Sequence, residues 1–276
     1  MKHTCAAVFI VFLLFFSVSL FLYTGQLKKI TSAGFLMKTF EQSGLYTNLP
    51  GIISESLKDS PNNAAVQALS NAVDPTYFRT QIQTNLPPFI KYLNGKSKTL
   101  NVNLDLKPFK AAILKQAPAE AVTSIPDNYT LNQESANANN VFRQAKRSFH
   151  VLNLAFLISG ILSLLLIGVL VLMGKSFWPS ILRWTGFALL LPAALQLIIV
   201  IIGKASLNPA IKACVAKASP TMANLLKPVI AVFANNIFNV TMLYAGIVFF
   251  ISLVLIVLSY IFHSHKEVQS AQQLPR

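Results

Sequence analysis

Val151–Met173, VLNLAFLISGILSLLLIGVLVLM, holds no charge over about 23 residues, long enough at ~1.5 Å per residue to cross the ~30 Å hydrocarbon core of a bilayer. This stretch reads as a membrane span. Three others have the same character: Ala6–Tyr23 (AAVFIVFLLFFSVSLFLY), Ile181–Ile202 (ILRWTGFALLLPAALQLIIVII) and Val240–Phe262. Everything else in the chain is defined by the side of the bilayer on which it lies.

Working outward from the spans, charge is sharply segregated. Eight of the nine acidic residues fall between Glu41 and Glu134, the ninth is Glu267, and Ser135–Lys266 carries no carboxylate. A formal net charge of +14 would point to nucleic acid in a soluble protein. Here the lysines are spread over loops with no basic stripe interleaved with aromatics, so nucleic acid is not expected and anionic lipid or wall polymer is the better counter-charge.

The first span follows a short basic head (Lys2, His3) and ends FLYTGQLKK without a small-x-small cleavage site. Its apolar run exceeds that of a cleaved signal peptide, so residues 1–24 read as an uncleaved signal anchor. Between Met173 and Ile181 the turn is too short for a domain, which makes 151–173 and 181–202 an antiparallel helical hairpin. Phe177, Trp178, Arg183 and Trp184 form its interfacial anchor. Pro192 and Gln196 sit mid-span. Gln196 is a candidate transport determinant, but a proline whose freed carbonyls find polar neighbours is common in spans, and the structural role is preferred. After 240–262, residues 263–276 are a short polar cytoplasmic tail.

Orientation is contested within the sequence. Lys28, Lys29, Lys38, Arg143, Lys146, Arg147, Lys204, Lys212, Lys217 and Lys227 outnumber Lys2, Lys175, Arg183, Lys266 and Arg276 on the other side, which favours a cytoplasmic large loop. That count governs short loops, however, and a loop of ~125 residues translocates largely regardless of charge. The signal-anchor character of the first span and the lack of Cys and His in the large loop ahead of His150 point the other way. The expectation is a multi-pass protein of the plasma membrane with both termini cytoplasmic.

The domain at 25–150 reads as mostly helical. NNAAVQALSNAV carries Val66, Leu69 and Val73 at helical spacing, and Asp74-Pro75 is a cap followed by proline at the first helical position. The next helix lines up Phe78, Ile82 and Leu86. Pro87-Pro88 is expected to interrupt it, with Phe89, Ile90 and Leu93 resuming the stripe up to Asn94-Gly95. A helix starting near Gln133 is expected to run unbroken into the second span. Against this pattern TLNVNLDL, Thr99–Leu106, alternates strictly: Leu100, Val102, Leu104 and Leu106 on one face, Thr99, Asn101, Asn103 and Asp105 on the other. That is the period of a half-buried strand. It needs a partner, either Ala121–Ile125, Tyr129–Leu131 or a second copy of itself. Asp105 then caps a short helix, KPFKAAILKQ.

In the second loop, 203–239, Leu225, Leu226, Val229, Ile230, Phe233, Ile237 and Phe238 give an apolar face beside four lysines and no acid. It reads as an amphipathic helix bent at Pro228, either lying on the outer leaflet or docked on the first domain, with docking favoured because its apolar residues continue in phase into the last span.

GLYTNLP (Gly44–Pro50), DPTYFRTQIQTNLPPFIKYLNGKSKTL (Asp74–Leu100) and NLDLKPFK (Asn103–Lys110) together resemble a family of uncharacterised bacterial integral membrane proteins. The resemblance implies a signal anchor, a helical extracytoplasmic domain with one short strand, three further spans and a bacterial cell-membrane location. Its motifs are turns, caps and core positions, and it brings no activity and no site residues.

Chemistry is sparse. Nucleophilic catalysis needs a base within reach of Ser or Cys, and the domain has no Cys and no His before His150. Ser97 between Lys96 and Lys98 follows Gly95 and reads as a solvated turn. Asp59, Asp74, Asp105 and Asp127 are better explained as caps and turns than as a catalytic pair. His263 and His265 with His3 are the one conceivable metal set, and as interfacial residues they read more simply as solvated. Cys5 and Cys214 are expected at opposite faces, so no internal disulfide forms. Catalytic, cofactor-binding and metal residues: none are assigned, and no cofactor is expected.

The fold expected is therefore membrane all-α, with four transmembrane helices and a mainly helical extracytoplasmic domain containing one short strand or small hairpin. The expected role is a non-enzymatic envelope protein whose partners are the lipid bilayer, an envelope protein or anionic polymer, and a second copy of itself in a homo-oligomer. A transporter or lipid-handling permease component is the alternative, and the near-absence of ionisable mid-membrane groups counts against it.

Overall fold

The computed structural model describes residues 2–56, 74–114, 126–131, 140–173 and 178–272, which divide into two compact units. In chain order the elements are α1 (Lys2–Ile30), α2 (Ala33–Gln42), α3 (Leu45–Ser56), α4 (Pro75–Leu93), β1 (Val102–Asp105), α5 (Lys107–Leu114), β2 (Asn128–Leu131), α6 (Asn140–Met173), α7 (Trp178–Ala205), α8 (Leu207–Val215) and α9 (Pro220–Gln272).

The first unit comprises Met1–Lys29, Leu152–Lys204 and Phe238–Arg276. Among the described residues four helices are long and apolar enough to cross a membrane, at Val8–Ile30, Asn140–Leu172, Pro179–Ala205 and Pro220–Phe262. Their interior is built on Leu14, Val18, Leu22, Leu166, Leu170 and Ala188. Their outward faces are equally apolar: Leu164, Leu172, Ile201 and Phe250 are each more than two-thirds exposed. An apolar surface of that extent is costly in water and ordinary in lipid. Length and surface together make the chain a multi-pass membrane protein. Close approach of α7 and α9 depends on Gly186, where a Cβ would come within 2.6 Å of the Ile256 side chain and 3.1 Å of the Ser252 carbonyl, the use of small residues expected between spans.

The second unit comprises Ile30–Val151 and Ala205–Ile237. Its helices begin and end where local chemistry dictates. The Ser32 hydroxyl accepts from the Phe35 amide at the start of α2, and Gly44, with φ +65, takes the left-handed turn before α3 that a side chain would strain. Asp74 accepts from the Thr76 amide at 3.1 Å with Pro75 at the first helical position of α4, as the sequence predicts. At the other end of α4 the Gly95 amide bonds the Tyr92 carbonyl and the Lys96 amide the Lys91 carbonyl. This is a Schellman closure, with φ +71 at Gly95.

Between those ends α4 corrects an expectation: Pro87-Pro88 does not interrupt it, and one helix runs from Pro75 to Leu93. The prolines leave the Gln83 and Thr84 carbonyls without their helical donors. Both residues are exposed, so water can take over. The strand expectation holds in its core: Val102–Asp105 pairs antiparallel with Asn128–Leu131, Val102 opposite Leu131 and Leu104 opposite Tyr129. Of the partners open to it, Tyr129–Leu131 is the one used, while Ala121–Ile125 lies outside the described residues. Leu100 and Val102 are buried and Asn101 and Asn103 exposed. The core of this unit joins Leu100 and Val102 to Ile90, Tyr92 and Leu93 of α4, with Phe142, Ala145 and Phe149 of α6 packed against them.

NNAAVQALSNAV lies outside the described residues, as does Gln133, and α6 is described from Asn140 onward. After Phe262 the polar residues that follow continue α9 as far as Gln272. Asp105 accepts from the Lys107 amide at 3.0 Å, but the residue whose carbonyl opens α5 is Leu106, so the carboxylate acts one position before the cap.

Candidate functional site

Reactive groups are taken up one by one in structural roles. The Ser97 hydroxyl donates to the Thr99 carbonyl at 2.7 Å inside the turn that closes α4, and neither Lys96 nor Lys98 is its partner. Asp127 pairs with Lys110 at 2.8 Å. That bond, reinforced by the Lys110 charge, holds its carboxyl below the ordinary range. Glu41 accepts from Arg79, and Glu55 accepts from the Ser219 hydroxyl at 2.8 Å. Each of these carboxylates, like Asp74 and Asp105, has its own separate partner. Asp59 lies outside the described residues. Among the described residues no three His, Cys, Asp or Glu gather in a way that could hold a metal. The side chains of His3, Cys5, His263 and His265 fall outside those described. Cys214 is an exposed free thiol.

Two residues that matter most in the second unit carried no obvious sequence signal. Asn85, only 8% exposed, accepts from the Asn103 amide at 2.8 Å and donates to the Asn103 carbonyl at 2.9 Å. One turn earlier the Gln81 side-chain oxygen accepts from the Asp105 amide at 3.3 Å. Side-chain amides of α4 thus occupy the edge of β1 that β2 leaves open, satisfying backbone groups that would otherwise form an exposed template. The signal available was two amides at i and i+4 beside an apolar helical stripe, next to a strand with too few partners. Tyr77, on the same helix, donates its hydroxyl to the Asp105 carbonyl. Burial first, and then the nearby Asp105 charge, raise its pKa.

Within this unit the first part of α9 docks on α2 and α3, as its apolar face predicts. Phe233 meets Phe40 with ring centroids 5.7 Å apart and Phe35 at 6.5 Å. Leu225 lies where a Cβ on Gly51 would reach 3.2 Å, and Asn236 donates to Gln42 at 2.8 Å and Thr39 at 3.1 Å. Beside this seam the Tyr46 hydroxyl is buried with no hydrogen-bond partner among the described residues. Burial and then the Glu41 charge raise its pKa, partly offset by Arg79. The exposed surface of the unit is basic, with Lys91, Lys96, Lys98, Lys212, Lys217 and Lys227 all exposed.

In the first unit Gln196 has a specific partner. Gln26, 7% exposed, donates its amide to Gln196 at 2.7 Å. The Ser17 hydroxyl donates to the Ser159 carbonyl at 2.9 Å and lies 2.8 Å from the Ser163 hydroxyl. These are helix-to-helix bonds among neutral groups, which fasten α1 to α6 and α7 without placing a charge among the candidate spans.

No protein-family model, no curated protein and no solved structure matches the chain.

Proposed function

We propose that this is a non-enzymatic protein of the bacterial cell envelope: a four-span anchor that presents a helical domain, residues 25–150 with 203–239, outside the cytoplasm to bind a protein or an anionic polymer. Both termini are then cytoplasmic. The observation that carries the reading is the commitment of the domain's described carboxylates and of Ser97 to caps, turns and pairs, alongside a surface with many exposed lysines. Such a surface is suited to recognition of a negatively charged partner rather than to bond-making.

The test has two arms. A lone cysteine at Ser97→Cys in a Cys-free variant is treated with an impermeant maleimide on intact cells or spheroplasts. Labelling without permeabilisation is expected, and labelling only after permeabilisation overturns the extracytoplasmic assignment. Cross-linking in intact cells followed by purification is expected to recover a partner. Loss of that partner on Lys96→Gln/Lys98→Gln, with normal protein levels, would tie it to the basic surface.

The second reading, a transporter or lipid-handling permease component, draws on the buried Gln26–Gln196 pair, since polar groups at membrane depth often mark pathways.

A further inference from the structure

The fold closes one edge of the small sheet in the second unit and leaves the other bare. Asn85 holds the Asn103 amide and carbonyl and Gln81 holds the Asp105 amide, so both strand residues turn their backbone groups away from β2. By the alternation of an antiparallel ladder, Val102–Leu131 and Leu104–Tyr129 are then the hydrogen-bonded pairs. It follows that Asn128 and Thr130 turn their amides and carbonyls to the far side of β2, where none of the described residues bonds them. The side chains of Asn128, Tyr129 and Thr130 are all exposed.

The residues along this edge suit it to a copy of itself. The strand, NYTL, contains no charge, proline or glycine, and so has none of the devices by which edges turn a second strand away. On a chain of net charge +14 most contacts between copies set like charges near each other, and the uncharged β2 does not. Tyr129, 49% exposed, is the one exposed aromatic ring among the described residues of this unit. It shares a face with Leu131 and lies opposite Leu104. That is the face by which Val102 and Leu131 join the core, so an apolar row runs out to the open edge and stops there.

We propose that β2 is a self-association edge: a second copy of this chain adds its own β2 antiparallel, about a two-fold axis at Tyr129, making a continuous sheet in the order β1-β2-β2-β1. In this register Asn128 of one copy faces Thr130 of the other, and their outward amides and carbonyls bond one another. Tyr129 faces its twin in the closer, non-hydrogen-bonded position, where aromatic pairs are favourable. The apolar row then continues across the axis into the Leu104 of the second copy. A two-stranded ribbon is marginal by itself, and added strands along an apolar face stabilise it. Strands of four residues bury far less than the ~1,200–2,000 Å² of a standard interface, so the contact is weak in dilute detergent and forms between copies concentrated in one membrane. It holds on either side of that membrane and stands or falls separately from the function proposed above.

The test uses full-length protein carrying Cys5→Ser/Cys214→Ser. Under mild oxidation in native membranes Tyr129→Cys is expected to give covalent dimer, since the register sets the paired Cα atoms ~4.5 Å apart. Asn128→Cys and Thr130→Cys, each ~8 Å from its own twin and beyond the ~7 Å reach of a disulfide, should each give about a tenth as much or less. Co-expressing those two variants should raise the yield again, because they face each other. Amide exchange on the wild-type chain in phosphatidylcholine vesicles supplies a second readout: protection at Asn128 and Thr130 should rise with the protein-to-lipid ratio. Tyr129→Lys sets like charges opposite each other and should abolish that rise while Val102 and Leu104 stay protected. Tyr129→Glu should do the same, and a mixture of the two should restore it. Equal cross-linking at the three positions overturns the proposal, as does cross-linking of Tyr129→Cys to a different protein in place of its twin. Protection at Asn128 and Thr130 that is the same at every ratio overturns it too, and would mean that the chain covers this edge itself; so does the absence of protection at every ratio.

Discussion

Replacing Asn85 with alanine isolates the device that closes the edge of β1. The wild-type side chain makes two bonds to one residue, accepting from the Asn103 amide at 2.8 Å and donating to its carbonyl at 2.9 Å. Each is worth ~0.5–1.5 kcal/mol net, so the truncation should cost ~1–3 kcal/mol. The upper part of that range requires the freed backbone groups to stay dry. Asn103 itself is exposed, so water can replace the lost partner and the lower part is expected. Amide hydrogen exchange on the full-length protein reads this locally. At about 1.4 kcal/mol per tenfold, the Asn103 amide should exchange ~10-fold faster, while Val102 and Leu104, which point toward β2, change less. Gln81→Ala removes only a 3.3 Å contact to the Asp105 amide and should produce a smaller, separate effect there. Asn85→Asp keeps the acceptor for the Asn103 amide but faces its carbonyl with a carboxylate, so protection at that amide should survive while stability falls. Unchanged exchange at Asn103 in Asn85→Ala would refute the edge-capping account. A uniform rise over β1, β2 and α4 would show instead that Asn85 supports the whole unit.

Three other substitutions probe different parts of the chain. Val102→Asp places a charge where the side chain is 8% exposed and should cost several kcal/mol, whereas Asn101→Asp on the opposite, exposed face should be nearly neutral; equal tolerance in thermal unfolding would contradict the assigned register. Gln196→Leu should destabilise by about 1 kcal/mol, and a double-mutant cycle with Gln26→Leu should give a coupling near 0.6–1.7 kcal/mol; loss of a transport phenotype at normal protein level would instead favour the permease reading. Tyr46→Phe removes a buried hydroxyl with no partner among the described residues and should be neutral or stabilising by ~1 kcal/mol in thermal unfolding; clear destabilisation would mean that the hydroxyl has a partner in solution.

The parts of the fold legible in the sequence are those governed by a local rule. Val151–Met173 announces a span because bilayer thickness sets a length and lipid tolerates no charge within it. TLNVNLDL announces a strand because its period is two, and Asp74-Pro75 announces a helix start because a carboxylate and a missing amide suit the first turn. Pro87-Pro88 misleads for the same reason: the local rule forbids helix continuation, but it cannot register that Gln83 and Thr84, whose carbonyls are freed, are exposed residues within reach of water. Gln26 and Asn85 are far harder to read. As neutral amides inside helices they look like surface residues, and their roles are fixed by partners 170 and 18 positions away. Burial makes them matter, since an amide taken out of water must find a donor or acceptor wherever the fold supplies one. Each of these amides meets that need by bonding a group on another element: Asn85 the strand edge that would otherwise stand open, Gln26 the single strongly polar side chain in the middle of the third apolar run. For the envelope reading the consequence is direct, because amides already engaged inside the protein are not free to bind a substrate, whereas Lys91, Lys96, Lys98, Lys212, Lys217 and Lys227 stand exposed on the surface of the second unit.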